Sequence, residues 1–351
     1  MSPTDIVALM PVVSAMRREL LEAAPAVLRQ PQIISEPLAM LVKRLESRRP
    51  NVVLTCARGS SAHAATFGKH LIERYLGLPV AAAAPNIASV YRRSLDLKNQ
   101  LFLAISQSGR SDDLIETAAM ARKAGAITAA IVNDAASPLA QTVEIVLPLG
   151  AGRELSVAAT KSFVASVAAL LRLVAAWTGD AAMAAACMRL PMRLADAAEL
   201  DWSEALEPLT RASSTIVIGR GPTLAIAREA ALKLKETCEL PAEAFSAAEI
   251  RHGPIALVSS TYPVLALAPT DESAAGFSAL ADDLRVKGAR VLVAEPDRSQ
   301  PHRLPVLAPD HPDADAICLI QSFYAFLVHL AARRGTDVDR PRHLQKVTRT
   351  Q

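Results

Sequence analysis

Three groups of residues in this 351-residue sequence have the types and spacing to do chemistry. The first is Ser106-Gln107-Ser108-Gly109-Arg110-Ser111, which follows the apolar run LFLAI from Leu101 and precedes the helical pattern DDLIETAAMARKAG. A helix N-terminus offers free N–H groups and a positive dipole end, so a phosphate fits there. Ser106, Ser108 and Ser111 add hydroxyl donors, and Arg110 can add charge. Simple capping by Ser111 and Asp112 would explain only the end of this polar run. The second group, Arg58-Gly59-Ser60-Ser61, stands in a like position and can present further hydroxyls and amides to the same ligand.

The third group lies inside a helical stretch: Lys233, Lys235, Glu236 and Glu239. Lys233 and Glu236 share a face at i, i+3, whereas Lys235 and Glu239 form an i, i+4 pair. A solvated, salt-bridged surface is the ordinary reading of such a helix. The segment from Ala242 to Pro254 shifts the weight, because His252 is followed by Gly253-Pro254, which ends a helical pattern at a turn. Its imidazole can project into a cleft, although a lone histidine is more often structural.

The scaffold that must position these residues is written twice. Arg58-Gly59 and Arg220-Gly221 stand 162 residues apart, as do Leu78-Pro79 and Leu240-Pro241, with no gap needed between them. LFLAIS from Leu101 lines up with YPVLALAP from Tyr262, and KAGAITAAIVND from Lys123 with VKGARVLVAEPD from Val286. Strand, helix, strand, helix, strand recurs, which predicts an α/β protein of two duplicated tandem domains. Each is a parallel sheet flanked by helices, doubly wound and flavodoxin-like, with ligands beyond the carboxyl ends of the strands.

The copies are unequal. Copy two carries Pro222, which lacks a donor, and the hydroxyl-poor Ala268-Pro269-Thr270. The phosphate site is therefore expected in copy one only. The chain divides into a helical arm (1–45, with Pro25 and Pro31 as breaks), a first domain (46–180), a helical linker (181–208), a second domain (209–334) and a tail (335–351) that looks poorly packed by itself. Trp177 and Trp202 read as packing anchors for the joining helices.

Bulk properties narrow the ligand. A hydrophobic fraction of 51% suffices for two cores, and a net charge of +3 with scattered Lys and Arg argues against a nucleic-acid partner. Four dispersed cysteines, with no CxxC pair and no His at ligand spacing, read as reduced and buried, with no metal. The N-terminal stretch lacks the pattern of a secretory signal, and the apolar run 162–179 contains Arg172, short of a good membrane span. The expectation is a cytoplasmic protein with no membrane partner.

Taken together, KLKET, AEAFSAAEIRHGP, ISQSG, SVAATKSF, the terminal PRHLQKVT and the MRREL opening followed by APAVL resemble the sugar isomerase (SIS) family, in particular the isomerase half of glucosamine-6-phosphate synthase and the isomerase-like (type II) glucosamine-6-phosphate deaminases. The resemblance covers nearly the whole chain. It implies that Ser60, Ser61, Ser106, Gln107, Ser108 and Ser111 hold a sugar phosphate, while Lys233 and the Val157-Ala158 backbone line the pocket. It implies that Glu236 moves the proton between C1 and C2, that His252 assists ring opening, often from the partner subunit of a homodimer, and that Lys346 of the tail closes over the sugar. No cofactor or metal is implied.

A carboxylate can both take and return the proton between adjacent carbons, and ring opening suits a histidine's range. Met1-Ser2, with no cysteine before Cys56, lacks the terminal nucleophile of the synthase's glutaminase domain, and Arg110-Ser111 after ISQSG looks like the deaminase group. Deamination of glucosamine 6-phosphate to fructose 6-phosphate and ammonia is the first expectation. Galactosamine or fructosamine phosphates, the aminating direction from fructose 6-phosphate and free ammonia, and a non-catalytic sugar-phosphate sensor are the alternatives.

Overall fold

The fold is that of a computed structural model, which describes residues 14–296 and 302–346; the N-terminal stretch read for a signal lies largely outside the described residues. Two helices, α1 (Ala15–Leu21) and α2 (Ala23–Ser47), precede the first copy. That copy runs β1 (Val53–Ala57), α3 (Gly59–Leu76), β2 (Val80–Ala82), α4 (Asn86–Ser89), β3 (Leu101–Ser106), α5 (Asp112–Lys123), β4 (Ile127–Val132), α6 (Pro138–Thr142) and β5 (Ile145–Pro148). Helices α7 (Lys161–Thr178), α8 (Ala181–Ala197) and α9 (Leu206–Arg211) lead to the second copy. It runs β6 (Thr215–Gly219), α10 (Pro222–Cys238), β7 (Ala242–Ser246), β8 (Pro263–Leu267), α11 (Phe277–Val286), β9 (Arg290–Ala294) and β10 (Arg303–Leu304), and α12 (Pro312–Arg334) follows.

Both sheets are parallel and share one topology. The first has the order β2-β1-β3-β4-β5 and the second β7-β6-β8-β9-β10, so each copy reads 2-1-3-4-5, the flavodoxin-like order expected from the repeat. Strands beginning at Val53, Leu101 and Ile127 pair in register (Val53 with Leu101, Leu101 with Ile127), and Ile216 pairs with Val264 likewise. These central strands are apolar on both faces because helices cover both.

The largest core lies between the sheets, where α3, α7, α10 and α12 pack together. Separate clusters fill the outer faces, under α5 and α6 in one copy and α11 in the other. By length and composition alone α7 and α12 could cross a membrane; both are instead buried in this shared layer. Such all-round apolarity is what a central core helix needs. Trp202 is buried, tilted on Phe326 at 6.2 Å, and donates its indole N–H to Pro305 O at 2.8 Å. All four cysteines are free and buried.

Several local expectations are corrected. Pro25 and Pro31 do not break the arm: the break is at Glu22, and α2 runs through Pro31 and Pro37. The local cost of an interior proline, about 3 kcal/mol, is outweighed by burying Val27, Ile34, Leu38, Leu41 and Leu45 along one face. The Ala-rich segment after Pro241 begins not as helix but as strand β7, because parallel pairing with β6 (Thr215 with Ala242) overrides alanine's propensity. Short 3₁₀ turns at Glu249–His252 and Pro254–Leu257 follow it.

A polar seam joins the copies on one side. Arg74 of α3 reaches Asp271 at 2.7 Å, and Tyr75 donates to Asp313 of α12 at 2.7 Å. His70 stands 3.9 Å from the same Asp313. Burial holds its imidazole below the ordinary 6.5 against the opposing pull of Asp313, and burial also lowers His329. A lowered histidine binds fewer protons folded than unfolded, so its stabilising share is present above 6.5 and lost as pH falls through it. Urea midpoints are expected to fall between pH 7.5 and 6, and less so in a His70→Gln/His329→Gln variant.

Candidate active site

A cleft of about 340 Å³ opens where the carboxyl ends of β1 and β3 face α10, within the ~300–1,000 Å³ range of small-molecule sites. Ser60 and Ser61 enter it from the first turn of α3, and Ser106, Gln107, Ser108 and Ser111 from the β3–α5 turn. Val157 and Ala158 come from the loop after β5, Lys233 and Glu236 from α10, and Lys346 from the tail. Residues singled out from five separate stretches of sequence thus converge on one cavity. His252 does not line it; it is exposed on the 3₁₀ turn after β7.

The hydroxyl-rich wall is shaped by its turns. Ser106 Oγ accepts from Gly109 N at 3.0 Å and Ser108 Oγ from Arg110 N at 3.3 Å, which folds the chain back over the end of β3. Gly109 has φ +63°, and a Cβ there would lie 2.1 Å from Ser137 Oγ, so the turn requires glycine. Ser111 sits at the N-cap of α5 without making a side-chain cap bond, and Arg58 likewise before α3. Two helix N-termini with uncapped amides therefore meet the cleft, which suits an anion.

The cation at this wall differs from the one expected. Arg110 pairs with Asp134 at 2.8 Å, both on the surface, and does not line the cleft. Arg58 does line it, with Nε and Nη2 held by Asp113 at 3.0 and 2.7 Å.

On the opposite wall, Lys233 and Glu236 of α10 are not a solvated surface, whereas Arg228 and Lys235 on the same helix are exposed. Lys233 is 1% exposed and donates to Glu236, while Glu229, one turn earlier and fully buried, lies 3.5 Å from the same ammonium. Burial alone would lower the lysine's pKa, but Glu229, Glu236 and Glu154 together raise it. Burial would raise that of Glu229, but Lys233 and His63 hold it down. Both shifts favour the charged pair. Glu229 also meets His63 Nδ1 of α3 at 2.8 Å and accepts from the Tyr324 hydroxyl of α12 at 3.1 Å. The expected Lys235–Glu239 pair is absent: Glu239 ends the helix in a left-handed conformation and is gripped by Arg342 of the tail instead.

Sequence reasoning missed Glu229, His63 and Glu154. Glu229 carried a signal, a carboxylate four residues before Lys233 on an otherwise apolar helix face. Glu154 did not: it is buried in a loop, where it accepts from Thr160 N at 2.9 Å and Ser162 Oγ at 2.6 Å, and Lys346 reaches it at 3.3 Å. Lys346 also donates to Ser156 O at 2.6 Å, so the tail is docked at the cleft.

The model of the SIS domain matches residues 48–176 and 208–294, one stretch in each copy. The chain belongs to the SIS-domain family. Among curated relatives, the isomerizing glutamine–fructose-6-phosphate aminotransferase of Symbiobacterium thermophilum is 35% identical over 320 residues, 86% of this chain and 52% of the relative. The chain spans about half the length of the curated relatives it matches. Among solved structures, a candidate phosphosugar isomerase from Silicibacter pomeroyi is 41% identical, with a TM-score of 0.89 over 93% of this chain and 100% of that one. Glucosamine-6-phosphate deaminase from Thermotoga maritima shares the fold, at 22% identity and a TM-score of 0.76 over 96% of this chain and 100% of that one. The two SIS copies described here are thus the family's tandem arrangement.

The charge chain makes a stability prediction for this SIS protein. Lys233→Met leaves Glu229 buried without its cation and should cost about 3–5 kcal/mol in urea unfolding, most of it recovered by Lys233→Met/Glu229→Gln.

Proposed function

We propose that this SIS protein is an amino-sugar phosphate isomerase that deaminates glucosamine 6-phosphate, giving fructose 6-phosphate and ammonia. The observation that carries the reading is the shared cleft: a hydroxyl-rich, anion-favouring wall from the first copy faces the Glu236 carboxylate of the second. A phosphate held on the first wall fixes one end of an open-chain sugar and presents its other end to Glu236. The carboxylate takes the proton from C2 of the aldehyde form, leaving an enolamine, and returns it to C1. Water then adds to the resulting C2 imine, and the C–N bond breaks to release ammonia and the ketone.

Lys233, fixed between two carboxylates, holds Glu236 in place through the exchange. Lys346, docked on Ser156 O, closes the sugar end. Ring opening is assigned to His252, which is exposed at its own chain's surface; a second copy in a cytoplasmic homodimer would deliver it. Arg110-Ser111 after the ISQSG run supports deamination. Identity to aminotransferases favours a second reading, amination of fructose 6-phosphate with free ammonia.

The test is release of ammonia and fructose 6-phosphate from glucosamine 6-phosphate, with galactosamine 6-phosphate alongside. Glu236→Gln should lower kcat by on the order of 10²- to 10⁴-fold while leaving inorganic phosphate binding intact. Binding without turnover in the unaltered protein would mark a sensor, and turnover indifferent to Glu236→Gln would remove the carboxylate from the chemistry.

A further inference from the structure

We infer that Glu19 and Asp339, from opposite ends of the sequence, are positioning residues that brace the loop carrying Val157 and Ala158, and so set the sugar-facing wall of the cleft. The inference rests on the sugar-phosphate reading of that cleft.

The loop between β5 and α7 has no regular structure to hold its amides. Three consecutive ones find partners outside it. Leu155 N donates to Glu19 Oε1 of α1, Ser156 N donates to Glu19 Oε2 at 3.1 Å, and Val157 N donates to the backbone oxygen of Asp339 at 3.2 Å. The Asp339 carboxylate in turn accepts from Ala15 N at 2.7 Å and Met16 N at 2.8 Å, the first amides of α1, and from Ser156 Oγ at 3.5 Å. Asp339 thereby holds the helix that presents Glu19. Glu19 is 4% exposed. An uncompensated carboxylate is rarely kept at such burial, and here two backbone N–H groups stabilise it.

This brace is far more than an ordinary helix cap, because of what the loop does on its other side. Its next residues, Val157 and Ala158, line the cleft, and the Ser156 carbonyl anchors Lys346. Asp339 lies seven positions before Lys346, so one clamp fixes both the loop wall and the approach of the tail. The phosphate wall, formed by the α3 and α5 N-termini, shares none of these bonds. A loosened brace should therefore impair recognition of the sugar and spare that of the phosphate.

The experiment uses the full chain and the variants Glu19→Ala and Asp339→Ala, with Glu19→Gln and Asp339→Asn as shape-preserving counterparts. Hydrogen exchange over residues 154–158 and calorimetric affinities for fructose 6-phosphate and inorganic phosphate are measured. Faster exchange at 155–157 is expected in both alanine variants. Fructose 6-phosphate should bind more weakly by on the order of 10- to 100-fold, with inorganic phosphate within about twofold and partial rescue by Glu19→Gln. Equal losses for the two ligands, or faster exchange with unchanged sugar-phosphate affinity, would overturn the brace. If an alanine variant does not fold, its counterpart gives the same comparison at smaller amplitude. Failure of the unaltered protein to release ammonia while binding fructose 6-phosphate would defeat the deaminase reading and leave the brace standing; failure to bind it would defeat both.

Discussion

A lysine ammonium almost fully removed from water, Lys233, sets the terms for much of this molecule. Desolvation of a cation is tolerable only with opposite charge at hand, and the chain provides it one turn to either side, as Glu229 and Glu236. Glu229 is itself fully buried and needs further donors, which come from His63 of the first copy and Tyr324 of the last helix. The Glu229 carboxylate thereby ties its own domain to the first copy through His63. Docking of the copies and placement of the Glu236 carboxylate are consequences of the same requirement.

Duplication explains why such a seam exists, and divergence explains its asymmetry. In the first copy the strand-end turns gather serine hydroxyls and helix N-terminal amides around a cleft. In the second, the equivalent turn is closed by its own side chains: a Cβ on Gly221 would lie 2.5 Å from Ser273 Oγ, and the Asp271 carboxylate caps Ser273 N at 3.0 Å. Arg74 of the first copy then pairs with that Asp271. What remains a ligand-sized opening in one copy has become an inter-domain contact in the other.

Legibility from sequence follows the range of the interactions. The repeat, the sheet order and the serine-rich turn are legible because turn chemistry and strand apolarity are local. Edge strands such as β2, β7 and β10 are short or Ala-rich, and only pairing with a neighbour makes them strands. Most of the cleft's residues are legible through motifs, but Arg58 in place of Arg110 is not, since it follows from Asp113 holding Arg58 at the cleft while Asp134 pairs with Arg110 on the surface. Glu154 and Glu19 are invisible for the same reason: each serves backbone amides that no pattern of side chains announces.

The meeting of α1 with the segment around Asp339 has a consequence for biosynthesis. Amides at positions 15 and 16 are translated more than 320 residues before their acceptor. Both sheets can form on the ribosome before it emerges, yet the wall at Val157 and Ala158 stays unsupported until then. A chain interrupted before Asp339 would hold the β3–α5 turn beside a loop wall that lacks its brace, so completion of the cleft waits on a segment translated after both sheets.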